Sequence, residues 1–366
     1  MENARRLTLE EIEQKLEKQN YGDDEIQRVM PKLEEIFRLR EEKKAIILAH
    51  YYQTPPIQLI SDFRGDSLQL AMAARNMNCE GLVVSSTVHF MAEMIKILSP
   101  EKKVVIPDLE AGCSIANGIN GATIRRIGEA HPDAAIIGYI NTGAEARAEM
   151  DVVCTSANAE RVASRVPERT VIMLPDYFFS KNILKRVNND NPEKHYLAYV
   201  GIENGKIRLE DVSGKNYYPG IPIDQKDMPQ GMKGTCIVHE QFIPEQIREY
   251  RTKYNVSKVL AHPEVRPDVA AEADMVGGTQ KMLEYVGSIN DKRFMILTEC
   301  DLIAPLKEQY PDREFVTPCL MCPHMKKNSL DNVIASLRDE KYEINVDAKV
   351  AEGAKRSIDR MFEITN

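Results

Sequence analysis

The heptapeptide SDFRGDS at residues 61–67 has two counterparts later in the chain, MDVVCTS at 150–156 and ADMVGGT at 273–279. In each copy an aspartate stands five positions before a hydroxyl residue, and an apolar run begins twenty positions after the aspartate. The three pairs are Asp62 and Ser67, Asp151 and Ser156, and Asp274 and Thr279. A spacing kept at three places predicts three copies of one structural unit.

The runs around these motifs indicate the type of unit. An apolar, β-branched run that ends in a polar residue precedes each motif: AIILAH ends at His50, AAIIGYIN at Asn141 and SKVLAH at His262. Further short strands alternate with helical patterns, which is typical of parallel α/β structure. We therefore predict an α/β fold of three homologous α/β/α units with parallel sheets, in a pseudo-threefold arrangement around a central active site.

The predicted domain organisation has five parts. Residues 1–43 form an N-terminal helical segment, which begins with a capping box made by Thr8 and Glu11. The second α/β unit contains an inserted loop or hairpin near 200–233, where Gly, Pro and Asp are frequent. The C-terminal helices are expected to pack on the first unit. The units and the C-terminal helices occupy residues 44–125, 126–233, 234–327 and 328–366.

Composition excludes several classes of function. The chain has 366 residues and a net charge of −8 with no basic block, so we expect no nucleic-acid partner. No apolar run approaches the roughly 18–20 residues that span a bilayer, so we expect no membrane association. The charged start of the sequence does not resemble a signal peptide. Together with seven cysteines, an odd number, this predicts a cytoplasmic protein with reduced thiols.

Hydroxyl residues at predicted helix starts are candidates for anion binding. Ligands of parallel α/β units bind at the carboxyl ends of the strands, where helix N-termini present free N–H groups. Ser67, Ser156 and Thr279 are placed there by the repeat. For any one of them, simple N-capping is the competing interpretation. As a set of three in register, they favour ligand binding.

Each unit contributes one cysteine at a comparable position. Cys113 follows the fourth strand of the first unit, Cys236 comes at the end of the second unit after the insertion, and Cys322, within CLMCPHM at 319–325, follows the fourth strand of the third. Three thiolates leave a metal centre one open coordination position. Catalytic zinc takes three protein ligands, although rarely three thiolates alone. A 4Fe-4S cluster held by three thiolates would leave one iron free as a Lewis acid. Cys319 is then a surplus thiol or a redox partner of Cys322.

Several longer stretches point to a known family. ILAHYYQ, GDSLQLA, AGCS, YINT, CTSANA and CPHMKK occur in that family's order between about residues 45 and 330, and the chain resembles the quinolinate synthases. The resemblance implies a transferase of NAD biosynthesis with a 4Fe-4S cluster on Cys113, Cys236 and Cys322. It implies condensation of iminoaspartate with dihydroxyacetone phosphate to give quinolinate, phosphate and two waters. It also implies a functional link to L-aspartate oxidase or aspartate dehydrogenase as the source of iminoaspartate.

The resemblance also suggests roles for individual residues. Tyr52 and Glu264 would move protons, and His262 would polarise a carbonyl or hydroxyl group. The residues that would bind substrate are His50, Ser67, Tyr139, Asn141, Ser156 and Thr279.

One departure from the family pattern is Gly278, where a serine is common, which removes one possible phosphate contact. Two alternatives to the synthase remain at this point. One is an iron–sulfur hydratase or dehydratase of the aconitase type, and the other is an iron–sulfur sensor protein.

Overall fold

The computed structural model describes residues 6–77, 79–212, 218–231 and 233–365. Its strands form three sheets flanked by helices, which confirms the α/β class and the repeated units. The chain divides into two compact bodies. The first body comprises Met1–Gly112, Glu299–Pro311 and Met321–Val346, and the second comprises Cys113–Thr298, Asp312–Leu320 and Asp347–Asn366. The pseudo-threefold arrangement stays a prediction.

Two helices open the first body: α1 (Leu9–Lys18) and α2 (Asp23–Glu42). The predicted capping box is present at the start of α1. The backbone N–H of Glu11 donates to the Thr8 hydroxyl at 3.2 Å, and the N–H of Thr8 donates to the Glu11 carboxylate at 2.8 Å. Both bonds satisfy N–H groups that the first helical turn leaves without a partner.

The first sheet lies in the first body and has the strand order β2-β1-β3-β4, all parallel. Every residue of the central strand β1 is buried, as expected for a parallel strand whose sheet is covered by helices. The strands are β1 (Ile46–His50), β2 (Phe63–Gly65), β3 (Leu82–Ser86) and β4 (Lys103–Val105). The accompanying helices are α3 (Pro55–Ile60), α4 (Ser67–Asn76) and α5 (His89–Leu98).

The second sheet lies in the second body and begins with the parallel order β6-β5-β7-β8. Two antiparallel strands, β9 and β10, extend it, and Asn204 and Gly205 form the turn between β8 and β9 with positive φ. This hairpin lies in the predicted insertion, of which residues 213–217 and 232 are outside the described residues. The strands are β5 (Ala134–Tyr139), β6 (Val152–Cys154), β7 (Thr170–Leu174), β8 (His195–Glu203), β9 (Lys206–Asp211) and β10 (Ile221–Pro222). The helices are α6 (Ser114–Asn117), α7 (Gly121–Ala130), α8 (Ala144–Ala148), α9 (Ala159–Arg165) and α10 (Tyr177–Asp190).

The third sheet, also in the second body, has the order β12-β11-β13-β14, again all parallel. The three sheets therefore share one strand order, in which the first strand of each unit lies between the second and the third. The strands are β11 (Lys258–Ala261), β12 (Met275–Val276), β13 (Arg293–Leu297) and β14 (Glu314–Val316). The helices are α11 (Pro244–Tyr254), α12 (Pro267–Glu272) and α13 (Thr279–Ser288).

The repeated aspartates make the same contact in all three units. Each carboxylate accepts the backbone N–H of a residue fifteen positions earlier in the first strand of its unit, and the aspartate's own N–H donates to that residue's carbonyl. This aspartate–strand contact satisfies a backbone donor at the sheet and holds the first two strands together. It joins Asp62 to Ile47 at 2.8 Å, Asp151 to Ile136 at 2.8 Å and Asp274 to Val259 at 2.7 Å.

The C-terminal part contains α14 (Ile303–Gln309), α15 (Leu330–Asp339) and α16 (Ala348–Thr365). Helix α15 packs against α2 and β3 in the first body, whereas α16 packs against α8, α9 and β6 in the second. The position of α16 therefore differs from the sequence prediction, which put both helices on the first unit. Gly353 allows the close approach, because a Cβ there would stand 2.9 Å from the Cβ of Ala148. None of the described helices is long and apolar enough to cross a membrane.

Candidate active site

Glu264 is the centre of a buried polar group in the second body. It follows β11 and is only 3% exposed. Its carboxylate accepts the Tyr139 hydroxyl at 2.7 Å and the Asn141 side-chain amide at 3.2 Å. Tyr139 ends β5 and Asn141 follows it, so polar residues at the carboxyl ends of strands from two sheets meet. Three of the predicted site residues are thus brought together.

His239 is a fourth member of this group. Its Nδ1 lies 2.8 Å from the Glu264 carboxylate and 3.0 Å from the Cys236 sulfur. Its Nε2 lies 2.8 Å from the Thr298 hydroxyl. A neutral imidazole with its proton on Nδ1 would donate to the carboxylate and accept from Thr298. These contacts fix the ring on both sides.

His262 lies next to His239, with the two rings stacked at a centroid distance of 4.6 Å. Its Nδ1 lies 3.4 Å from the backbone N–H of Glu264, which donates to it. Burial, reinforced by the neighbouring His239, lowers the pKa of His262 to about 3. The ring is therefore neutral near pH 7 and carries its proton on Nε2, from which it can donate a hydrogen bond.

The charge state of Glu264 follows from the same contacts. Burial acts to raise the pKa of its carboxyl group. The interactions with His262 and His239 and the hydrogen bond from Tyr139 outweigh burial, and the pKa lies below its usual value. Glu264 is therefore a carboxylate held by three donors, which is the state that a general base requires.

Asp176 is a second buried carboxyl group near Glu264. It caps α10 by accepting the backbone N–H of Phe179 at 2.8 Å, and its backbone pairs with Gly234. Burial raises the pKa of Asp176 well above its usual value, and the charge of Glu264 raises it further. Both effects disfavour the ionised form of Asp176.

The segments that carry Cys113 and Cys236 lie side by side in the second body. The Ser114 hydroxyl donates to the carbonyl of Thr235 at 2.8 Å and accepts the N–H of Ile237 at 3.2 Å. Two glycines allow this proximity, because a Cβ on Gly118 would stand 2.5 Å from the Cα of Gly234. Two predicted metal ligands are therefore held on neighbouring stretches of backbone.

Ser156 and Thr279 meet at the N-terminus of α13. Thr279 is the first residue of this helix and is 4% exposed, and Gly278 before it offers no side chain as a cap. The Ser156 hydroxyl occupies the space beside that glycine, since a Cβ on Gly278 would stand 2.3 Å from it. Ser156 itself precedes α9 by three residues and is not its N-cap, which is Asn158.

In the first body, His50 and Tyr52 repeat the arrangement of His262 and Glu264. The backbone N–H of Tyr52 donates to Nδ1 of His50 at 3.1 Å, and the two rings are in edge contact at 4.5 Å. In both units a histidine at the end of the first strand is oriented by the amide two residues later. Ser67, the remaining predicted residue of this body, is the first residue of α4 and is 8% exposed.

Cys322 lies in the first body beside a buried ion pair. Its backbone N–H donates to Glu299 at 3.3 Å, and the Lys326 ammonium lies 2.6 Å from the same carboxylate. Lys326 also donates to Asp301 and to the carbonyl of Tyr52, both at 2.5 Å. Burial, opposed by Lys326, raises the pKa of Glu299 to about 7. Lys326 thus links the segment of Cys322 to the segment of Tyr52.

The three predicted ligand cysteines fit a thiolate-bound centre in their chemistry. These three are only partly buried, whereas Cys154 is fully buried. Burial raises the pKa of the Cys322 thiol, but backbone N–H groups of Met325 and His324 act in the opposite direction by donating to its sulfur. Backbone donors of this kind stabilise a thiolate.

The sequence prediction missed His239, Asp176, Glu299 and Lys326. Asp176 and Glu299 follow apolar strands, TVIMLPD and RFMILTE, in the same way as the strand-end residues that were singled out. Applying that rule to the third strand of each unit would have found both. His239 follows Cys236 by three positions, a spacing that could have indicated a second donor. No comparable sequence pattern points to Lys326.

Comparison with known proteins gives a consistent result. Residues 34–363 match the family described as Quinolinate synthetase A protein. The quinolinate synthase of Xylella fastidiosa (strain Temecula1) is 37% identical over 333 residues, which cover 91% of this chain and 87% of that protein. The quinolinate synthase of Agrobacterium fabrum is 36% identical over 351 residues, covering 93% and 90%. That of Caldicellulosiruptor bescii is 35% identical over 332 residues, covering 90% and 97%.

Proposed function

This chain belongs to the quinolinate synthase family, and on that premise we propose that it makes quinolinate for NAD biosynthesis. The substrates are iminoaspartate and dihydroxyacetone phosphate, and the other products are phosphate and two waters. The proposed enzyme is a transferase. The observation that carries the proposal is the buried group around Glu264, in which an ionised carboxylate and a neutral imidazole that can donate lie side by side.

Condensation followed by two dehydrations requires groups that take up and release protons. The Glu264 carboxylate can accept a proton, because its donors Tyr139, Asn141 and His239 hold it ionised inside the protein. His262 can polarise a carbonyl or hydroxyl through its Nε2–H. Tyr52 is proposed as the third catalytic residue, and His50 beside it as a substrate ligand in the same orientation as His262.

Both substrates are anionic, which assigns a role to the hydroxyl residues. Ser156 and Thr279 stand at the N-terminus of α13, where the helix dipole favours negative charge. Ser67 has the corresponding place at the start of α4. With Tyr139 and Asn141, these residues would hold the carboxylates and the phosphate group.

We further propose that Cys113, Cys236 and Cys322 hold a 4Fe-4S cluster. Three thiolates leave one iron with an open position, and this iron would supply a Lewis acid for a substrate oxygen. The partial exposure of the three cysteines, the hydrogen bonds between the Cys113 and Cys236 segments, and the backbone donors at Cys322 all support the assignment. Lys326 and Glu299 would fix the third ligand's backbone.

The test is turnover by the full chain, reconstituted with iron and sulfide under anaerobic conditions. Iminoaspartate is generated in the assay by L-aspartate oxidase or aspartate dehydrogenase, and dihydroxyacetone phosphate is added. We expect quinolinate and phosphate in equal amounts, and neither product when dihydroxyacetone phosphate is omitted. An iron-loaded protein that releases no phosphate but dehydrates citrate would overturn the proposal in favour of the aconitase type.

A further inference from the structure

Three different metal-binding side chains converge in the second body. The Cys236 sulfur, Nδ1 of His239 and a carboxylate oxygen of Glu264 all lie within 4.8 Å of one another. His239 is in the middle, 3.0 Å from the sulfur and 2.8 Å from the oxygen. His239 and Glu264 are 1% and 3% exposed, so these two donors lie inside the protein, whereas Cys236 is partly exposed.

The two buried donors also have the outer contacts that are typical of metal sites. The Glu264 carboxylate is oriented by the Tyr139 hydroxyl on its other oxygen. The second ring nitrogen of His239 contacts the Thr298 hydroxyl at 2.8 Å. Groups that bind the far side of a ligand in this way fix its orientation and raise metal affinity.

From these contacts we propose that the chain, when it holds no cluster, binds one zinc ion through Cys236, His239 and Glu264. A sulfur, a nitrogen and an oxygen donor are the set that zinc accepts, with bonds of about 2.0–2.3 Å. Magnesium and calcium require oxygen ligands and are disfavoured by the thiolate and the imidazole. The site goes beyond the proposed cluster, because His239 and Glu264 are not cluster ligands.

Distances and charge are both compatible with zinc. In a tetrahedral site the donor atoms stand about 3.3–3.6 Å apart. Nδ1 of His239 lies 3.0 Å from the Cys236 sulfur and 2.8 Å from the Glu264 carboxylate, so each of these two pairs must separate by about half an ångström. Zinc carries two positive charges, and the Cys236 thiolate and Glu264 carboxylate carry two negative charges. The buried assembly is therefore neutral, which keeps the cost of removing it from water low.

Proton balance follows from the same contacts. Binding releases the Cys236 thiol proton to solvent. The His239 proton moves from Nδ1 to Nε2, where the Thr298 hydroxyl can accept it, so the imidazole stays neutral. Because Cys236 is a ligand in both cases, zinc and the cluster exclude each other. Bound zinc would also occupy the Glu264 carboxylate, which is the proposed proton acceptor.

The experiment uses the full chain purified without cluster, kept reduced and treated with a chelator. Zinc is titrated against a chromophoric chelator and quantified per chain. We expect one zinc per chain, with at least a tenfold loss of affinity in Cys236→Ser, His239→Gln and Glu264→Gln. Cys113→Ser and Cys322→Ser test the rival site at the cluster cysteines, and Cys79→Ser is the matched control. Cys113→Ser, Cys322→Ser and Cys79→Ser should each bind zinc as the unmutated chain does.

Cobalt titration of the unmutated chain is a second readout that does not depend on folding of a variant. A thiolate-to-cobalt charge-transfer band with the intensity of a single thiolate is expected. Bands for three thiolates, or zinc affinity that falls with Cys113→Ser and Cys322→Ser but not with His239→Gln, would overturn the proposal. Since metal binding is measured without turnover, it can fail or succeed independently of the synthase assignment.

Discussion

Replacing Gly278 by alanine should impair catalysis by displacing a neighbouring side chain. The new Cβ would stand 2.3 Å from the Ser156 hydroxyl and 3.1 Å from the Ser156 Cβ. The hydroxyl must therefore leave its place. Gly278 has φ −66° and ψ 171°, which any residue can adopt, so the backbone itself is not strained.

The size of the effect can be estimated from the geometry. Rotation of Ser156 to another staggered position moves its oxygen by about 2 Å. A hydrogen bond to a charged group is worth about 1.5–3 kcal/mol, and losing it corresponds to a fall of roughly 10–150-fold in kcat/KM. Gly278 is the N-cap of α13, and alanine is a poorer cap by only a few tenths of a kcal/mol to about 1 kcal/mol. Thermal unfolding should therefore change little.

A double-mutant cycle tests the cause. Gly278→Ala and Ser156→Ala should each lower kcat/KM by a similar factor, and the double variant should be no worse than either, because all three lose the same hydroxyl. Gly278→Ser combined with Ser156→Ala should recover part of the activity, since it returns a hydroxyl to this place. Additive losses in the double variant, or full activity of Gly278→Ala, would refute the reasoning.

Three further predictions concern the proton-transfer residues, the cluster and the fold. Tyr52→Phe and Glu264→Gln should retain iron but lose about 10²–10⁴-fold in turnover, measured with the anaerobic assay; wild-type rates in both would place the roles elsewhere. Serine at any of the three predicted cluster cysteines should abolish bound iron and sulfide, whereas Cys79→Ser should leave both near the wild-type amount, and equal loss at all four positions would contradict the ligand assignment. Asp274→Ala should cost about 1–3 kcal/mol in urea unfolding because it leaves a buried strand N–H unsatisfied, and Asp274→Asn should cost less because an acceptor remains; equal costs would argue against the contact.

The fold was predictable because the repeat is local. The strands, the helices and the three motifs all follow from runs and spacings within single units, whereas the order of the strands in each sheet was not predicted. The aspartates were found by their spacing, but their role was not evident. The structure shows that Asp62, Asp151 and Asp274 bind the sheet, so part of the repeated pattern is structural. Periodicity alone does not separate a residue that holds a strand from one that binds a ligand.

The site was only partly predictable because it depends on contacts between units. Tyr139, Asn141 and Glu264 were expected to converge, since strand ends of parallel sheets collect ligands. Asp176 pairs with Gly234, and His239 lies five residues beyond Gly234, so their places in the site depend on a contact between two segments far apart in the sequence. The position of α16 was missed for a related reason. Its place depends on contacts with distant residues, among them the close approach of Gly353 to Ala148.

The aspartate–strand contact bears on how the chain folds. Closing a loop of fifteen residues costs about 2–3 kcal/mol of chain entropy, a small amount compared with contacts between distant parts of a sequence. Each unit can therefore order its central strand soon after its own residues leave the ribosome, with no help from the other two. In hydrogen exchange, the amides of Ile47, Ile136 and Val259 should consequently be protected as three separate local nuclei, one in each unit.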